Sequence, residues 1–145
     1  MFNTILVPTD GSALAMKAVD TAVEFCCLTK GTIIGLSVAE PYPFALLTEG
    51  AVAAGVAEYE EQSLAQSWRH VEVIAEAARA ASVRCETVVT QGARPYEEII
   101  HTAEKFKCDA IFIASHGRWG LSRLFVGGET QKVLAHTTLP VLVIR

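Results

Sequence analysis

Between Asp109 and Gln131 the sequence runs DAIFIASHGRWGLSRLFVGGETQ, and the residue types in this stretch are those that hold anions. An apolar run, Ala110 to Ile113, reads as a buried strand. It leads into a polar, glycine-punctuated loop from Ser115 to Val126, which closes on the pair Gly127-Gly128 where a helical pattern starts. A strand feeding such a loop onto a helix N-terminus turns backbone N–H groups and the positive end of the helix dipole toward one point, the geometry of a phosphate site. Gly117, Gly127 and Gly128 let a ligand approach the backbone closely. Ser115 adds a hydroxyl, and Arg118, inside the loop, is the best-placed cation for a phosphate. Arg123 and Lys132 read as solvated surface charges. An ordinary βα connection has the same outline, so the stretch alone does not decide its use.

A second polar turn, Pro8-Thr9-Asp10-Gly11-Ser12, follows the first apolar run. Asp10 has two possible uses there: accepting hydrogen bonds from ribose hydroxyls or a base amine, or capping the following helix, a task Ser12 can also perform. Other chemistries find less support. No GKS or GKT follows the glycines, so there is no complete P-loop. No GxSxG elbow occurs, which leaves Ser115 beside His116 as weak ground for a hydrolase. A phosphoacceptor receiver would carry an acidic pair after the first strand, where only Asp10 stands.

The elements that must position these residues follow from periodicity. Thr4 to Pro8 is a short strand. Ala13 to about Thr29 is an amphipathic helix with Leu14, Ala18, Ala22 and Phe25 on its apolar face, ended by Lys30 and the left-handed-tolerant Gly31. Thr32 to Val38 is a second strand. The segment from Glu40 to about Val56 has two prolines, two glycines and no clean period, and reads as a loop, either a lid or interaction surface or a packed connection. A long helix from about Glu58 to Ser82 follows, with Leu64, Trp68, Val71, Ala75 and Ala78 as its apolar stripe and Trp68 in the core. Val83 to Thr90 alternates and reads as a strand near a sheet edge. Pro95 suits a helix start, and Tyr96 to Lys107 is the third helix, with His101 on its polar side. Ala110 to Ile113 is the fourth strand, Gly128 to about His136 the fourth helix, and Leu139 to Ile144 a last apolar strand.

Strict alternation of strand and helix implies a parallel sheet covered on both faces, with right-handed crossovers. In such a sheet a ligand sits outside the carboxyl ends of the strands, where the strand order reverses. The loops after the first and fourth strands, PTDGS and ASHGRWG, flank that crevice, which favours the phosphate reading of the glycine-punctuated stretch.

Composition bounds the rest. The 145 residues predict one domain, and 51% hydrophobic with 19% charged residues is a globular balance rather than a disordered one. A net charge of −4 gives no electrostatic footprint for nucleic acid. Nothing reads as a leader or approaches the length of a membrane span, which makes the cytoplasm the expected location. The four cysteines, Cys26, Cys27, Cys85 and Cys108, lack zinc-ligand spacing and read as small buried hydrophobes.

Taken together, TILVPTDGS, GARPYEEII, SHGRWGLSRLFVGGETQKVL and LPVLVI resemble the universal stress protein family, in the family's order and over essentially the whole chain. The resemblance implies a single domain spanning 1–145 and a five-stranded parallel α/β fold of strand order 3-2-1-4-5, Rossmann-like and of the adenine nucleotide α-hydrolase type. It also implies homodimers formed through the last strands. The apolar strand Val141-Ile144, with little charge to protect an edge, points the same way. Some family members bind ATP and others do not. The ATP-binding pattern is glycine, two residues, glycine, nine residues, glycine, then Ser or Thr; here Ala114 and Gly128 stand at its first and last positions, and Gly117 and Gly127 match. Ala114 adds a methyl group near a ribose. Gly128 lacks a hydroxyl worth about 1 kcal/mol to a phosphate, which weakens a site without abolishing it. Carried over position by position, the nucleoside side comprises Pro8, Thr9, Asp10, Val38 and Ile113, with Val38 acting through its backbone. The ribose–phosphate side comprises Ala114, Ser115, His116, Gly117, Arg118, Gly127, Gly128, Glu129 and Thr130. Magnesium can accompany the triphosphate, although no carboxylate cluster would hold it alone. The implied activity is an ATP-binding sensor or adaptor in the stress response, without a positioned general base and so at most a slow ATPase. The alternative is a nucleotide-free dimeric interaction module.

Overall fold

The computed structural model describes residues 2–43, 53–117 and 126–145. Nine elements alternate along the chain: β1 (Thr4–Pro8), α1 (Ala13–Thr29), β2 (Thr32–Ala39), α2 (Ala53–Ala80), β3 (Arg84–Gln91), α3 (Pro95–Lys105), β4 (Ala110–Ala114), α4 (Gly128–His136) and β5 (Val141–Ile144). The strands form one parallel sheet of order β3-β2-β1-β4-β5, as the alternation and the resemblance predict. β1, central and flanked by β2 and β4, is where the order reverses.

The pleat of β1 divides the core in two. Ile5 and Val7 face α1 and α2 and pack with Val19, Ala22, Cys26, Ile74 and Ala78. Leu6 faces the other way, with Ile99 and Ala103 of α3 and Val133 of α4. All three β1 side chains are fully excluded from solvent. Both faces being covered explains why β1 and β4 read as continuous apolar runs rather than alternating ones. β3 pairs only with β2 and has the part-exposed pattern expected of an edge.

Four expectations are corrected. Trp68 is not in the core but 53% exposed; the buried seam of α2 runs through Ser67, Val71, Ile74 and Ala78. Successive helix positions differ by about 100°, so a stripe through Leu64 and Trp68 shares Val71 and Ala78 with the true seam and looks as good on paper. Gly35 decides between them: a Cβ there would lie 3.1 Å from Ile74 Cδ1 and Cγ2, so α2 seats Ile74 on bare β2 backbone. Second, α2 starts at Ala53 and takes in part of the segment read as a loop; residues 44–52 of that segment lie outside the described ones. Third, the left-handed residue closing α1 is Lys30, at φ 59°, and Gly31 serves close packing instead, with Cys26 Sγ and Asn3 O 3.1 and 3.2 Å from where its Cβ would be. Fourth, Cys27 is exposed and Cys85 half-buried; only Cys26 and Cys108 are buried. Desolvation pushes both buried thiols up to about 11, with the Asp109 charge adding to it.

Candidate functional site

The turn after β1 is shaped by its own side chains. Thr9 Oγ1 accepts the Gly11 N–H at 3.1 Å, Asp10 Oδ1 accepts the Ser12 N–H at 3.0 Å, and Gly11 sits at φ +78°. Ser12, not Asp10, caps α1, its hydroxyl accepting from Ala15 N at 3.2 Å. Of the two uses open to Asp10, helix capping therefore falls to its neighbour. Thr9 is buried, and its N–H donates to Leu36 O at 2.8 Å, so the turn is fastened to the end of β2. Pro8 pairs with Leu36 in the sheet, and Val38, half-buried, pairs with Thr90.

The end of β4 is fastened from three sides. Ser115 N donates to Ile144 O of β5 at 2.7 Å, and Ser115 O accepts the Gly127 N–H at 2.6 Å. Thr130, buried in the first turn of α4, donates its hydroxyl to Ala114 O at 2.8 Å. Gly127 is glycine for contact and not for its backbone angle, which is an ordinary φ −64°: a Cβ there would come 3.1 Å from His116 Cα and 3.3 Å from Ser115 O. Gly128, by contrast, has open space around its Cβ direction, and its N–H begins α4. Ser115 Oγ and His116 Nδ1 lie 3.0 Å apart, but the serine is buried.

The two loops meet. A Cβ on Gly117 would run into Asp10 Oδ2, so the glycine lets the second loop close against the carboxylate of the first. The structure thus brings Thr9, Asp10, Ala114, Ser115, His116, Gly117, Gly127, Gly128 and Thr130 to one end of the sheet. Arg118 lies outside the described residues. Glu129 is on α4 but turned aside: Oε2 accepts the Tyr96 N–H at 3.0 Å, capping α3, whose own N-cap residue Arg94 offers no side-chain bond, and Oε1 pairs with Lys132 Nζ at 3.0 Å. A carboxylate so occupied adds to the first turn of α3 rather than reaching for a ligand.

Sequence reasoning missed the contribution of α2. A cleft of about 630 Å³ opens beside Asp10 and Val38, and its far wall carries Gln62, Ser63, Gln66, Arg69 and His70. His70 is packed onto the β1–α1 turn so tightly that a side chain on Gly11 would strike its ring. The turn bearing Asp10 is therefore gripped by Gly117 on one side and His70 on the other. Gly35 was the available signal, since a glycine inside a strand marks close approach of another element and places α2 over β2.

Among the described residues there is no group of three or more metal-ligating side chains. No helix of the described residues is long and apolar enough to cross a membrane.

With the fold and the site described, comparison with known proteins adds the lineage. A sequence model of the Universal stress protein family matches residues 1–145. A universal stress protein of Thermus aquaticus, encoded in the QAH/OAS sulfhydrylase 3′ region, is 31% identical over 145 residues covering all of both chains. The solved structure of UspA from Lactobacillus plantarum superposes with a TM-score of 0.85 at 23% identity, covering 99% of this chain and 98% of that one. The universal stress protein from Archaeoglobus fulgidus, solved in complex with dAMP, superposes with a TM-score of 0.70 at 14% identity, covering 100% of this chain and 98% of that one.

Proposed function

The chain belongs to the universal stress protein family, and from that premise we propose that it binds an adenine nucleotide, ATP in the first instance, at the carboxyl ends of β1 and β4 and acts as a nucleotide-responsive sensor or adaptor. The observation that carries the reading is the meeting of Asp10 with Gly117 where the strand order reverses. A carboxylate there suits ribose hydroxyls, while the free N–H groups at the start of α4 suit phosphate. The dAMP bound by the Archaeoglobus relative supports adenine nucleotides as the ligand class. In this reading Thr9, Asp10 and Val38 serve the nucleoside. Ala114 through Arg118 and Gly127 through Thr130 line the ribose–phosphate side, Glu129 through its backbone. Arg69, which lines the cleft, adds a second candidate cation from the α2 side. The whole of 1–145 works as one domain, and magnesium comes with the triphosphate rather than with the protein. In this reading turnover is slow or absent.

A second reading, the nucleotide-free interaction module, is favoured by the surface: Leu142 on the edge strand β5 is 44% exposed and Trp68 on α2 is 53% exposed. Pairing of β5 with a second copy belongs to both readings. A calorimetric titration of nucleotide-stripped protein separates them, with ATP and magnesium in one series and AMP in the other. Saturable binding that is tighter for ATP and lost in Asp10→Ala is the expected result. Absence of heat and of any shift in melting temperature would transfer the function to the surface.

A further inference from the structure

The cleft beside Asp10 has one wall that neither strand loop supplies. Gln66 and His70 stand four residues apart on α2 and so share a face. His70, in contact with Gly11, sets the spacing between this wall and the Asp10 turn. Gln66, one turn earlier, lines the same cleft, and its carboxamide makes no hydrogen bond to another described residue. Its neighbour in the helix face, Gln62, is committed instead to Glu58 at 3.3 Å. The cleft volume of about 630 Å³ is that of a small-molecule pocket, large enough for a nucleoside monophosphate.

We propose that Gln66 is the base-selecting residue of the site and makes it specific for adenine, an inference that rests on the nucleotide reading above. A carboxamide offers one acceptor and one donor side by side. Adenine presents the complement, the N6 amine as donor and N7 as acceptor, and takes both bonds at once. Hypoxanthine has an oxygen at position 6 and a proton on N1, so the N7 edge that adenine offers here becomes two acceptors, and no orientation of the amide satisfies both. A site that reads its ligand by hydrogen bonds rejects the analogue that leaves one of its polar groups opposed. Most of the remaining lining at this wall is polar too, Ser63, Ser67, Arg69 and His70 beside Tyr59 and Ala65, which fits recognition by hydrogen bonds rather than by an apolar slot.

The test is titration of nucleotide-stripped wild-type and Gln66→Leu protein with AMP and with IMP. Wild-type protein is expected to prefer AMP by about tenfold, the scale of one bidentate base contact. Gln66→Leu is expected to remove that preference by weakening AMP and leaving IMP within about twofold, with the melting temperature of the free protein unchanged because the residue is exposed. Wild-type binding of AMP with no preference over IMP, or a preference that survives Gln66→Leu, would overturn the assignment of Gln66 alone. Failure of the wild-type protein to bind either nucleotide would overturn the nucleotide reading and this inference with it.

Discussion

At the amino ends of the strands the chain closes three helices through left-handed residues, whereas at the carboxyl ends the described loops are held by contacts between distant residues. α1, α2 and α3 each finish on a non-glycine residue in the left-handed region, Lys30 at φ 59°, Ser82 at φ 56° and Lys107 at φ 53°. Each is followed by a backbone bond five residues back: Gly31 N to Cys26 O at 3.1 Å, Val83 N to Ala78 O at 2.8 Å and Cys108 N to Ala103 O at 2.8 Å. This is the Schellman closure repeated three times, a local device that satisfies helix carbonyls without distant partners. Asp109 completes that end by accepting the N–H groups of Asn3 and Thr4 at 2.8 and 3.1 Å. The carboxyl end is held by contacts between residues far apart in sequence: Asp10 with Gly117, Gly11 with His70, Gly127 with Ser115 and His116. One end is built to be closed, and the other to keep a carboxylate and several N–H groups together at a crevice. In the proposed reading the same sheet supplies stability at one end and a binding surface at the other.

Substitutions that exchange the two characters are the sharpest way to break this contrast. Gly117→Val should have the largest effect, since its side chain would displace Asp10 and remove a charge-assisted hydrogen bond worth about 1.5–3 kcal/mol to a ligand. That is a loss of roughly ten- to a hundredfold in nucleotide affinity, read by calorimetry. Asp109→Ala works at the opposite end: two N–H groups at the entry to β1 lose their acceptor, unfolding free energy in urea falls by about 1–3 kcal/mol, and affinity for nucleotide stays the same. Smaller again is the gain from relieving the left-handed caps. Lys30→Gly, Ser82→Gly and Lys107→Gly should each stabilise by up to about 1 kcal/mol, because glycine adopts that conformation without a Cβ clash. A further effect comes from pH, and it is confined to the alkaline range. Cys26 and Cys108 have folded-state values raised from 9.0 to about 11, so the folded state binds their protons where the unfolded state releases them. Their contribution is complete below about pH 9 and is lost as pH rises from there through about 11, which a urea midpoint measured across that range should show as a progressive fall.

How much of this was legible in the sequence also divides by region. The local signals were sufficient for β1, α1 and α4, whose limits follow from Pro8, the Asp10–Ser12 turn, Lys30 and the glycine pair. Strict alternation and the reversal of strand order bring the two loops together, and the close approach of Gly117 to Asp10 gives that pairing its physical cause. What the sequence did not yield is what depends on the rotation of one helix. A stripe of apolar residues fixes a helix face only to within neighbouring rows, and α2 has two rows of similar quality. On the wrong row Trp68 falls inside, and the polar row bearing Gln66 and His70 carries no signal of its own. The contact of Ile74 with Gly35 settles the rotation, and with it which polar side chains look into the cleft. Lys30 was obscured for a related reason: Gly31 beside it is the expected left-handed residue, yet its place is set by the backbone of Asn3.

The most direct test of the difference between the two ends is to follow the backbone amide resonances of the protein while AMP is added. The account predicts shifts at Thr9, Asp10, Gly117, Gly127 and Gly128, with Asn3, Lys30, Ser82 and Lys107 unmoved. A spectrum unchanged at saturating nucleotide, or shifts gathered at the amino ends of the strands, would contradict it.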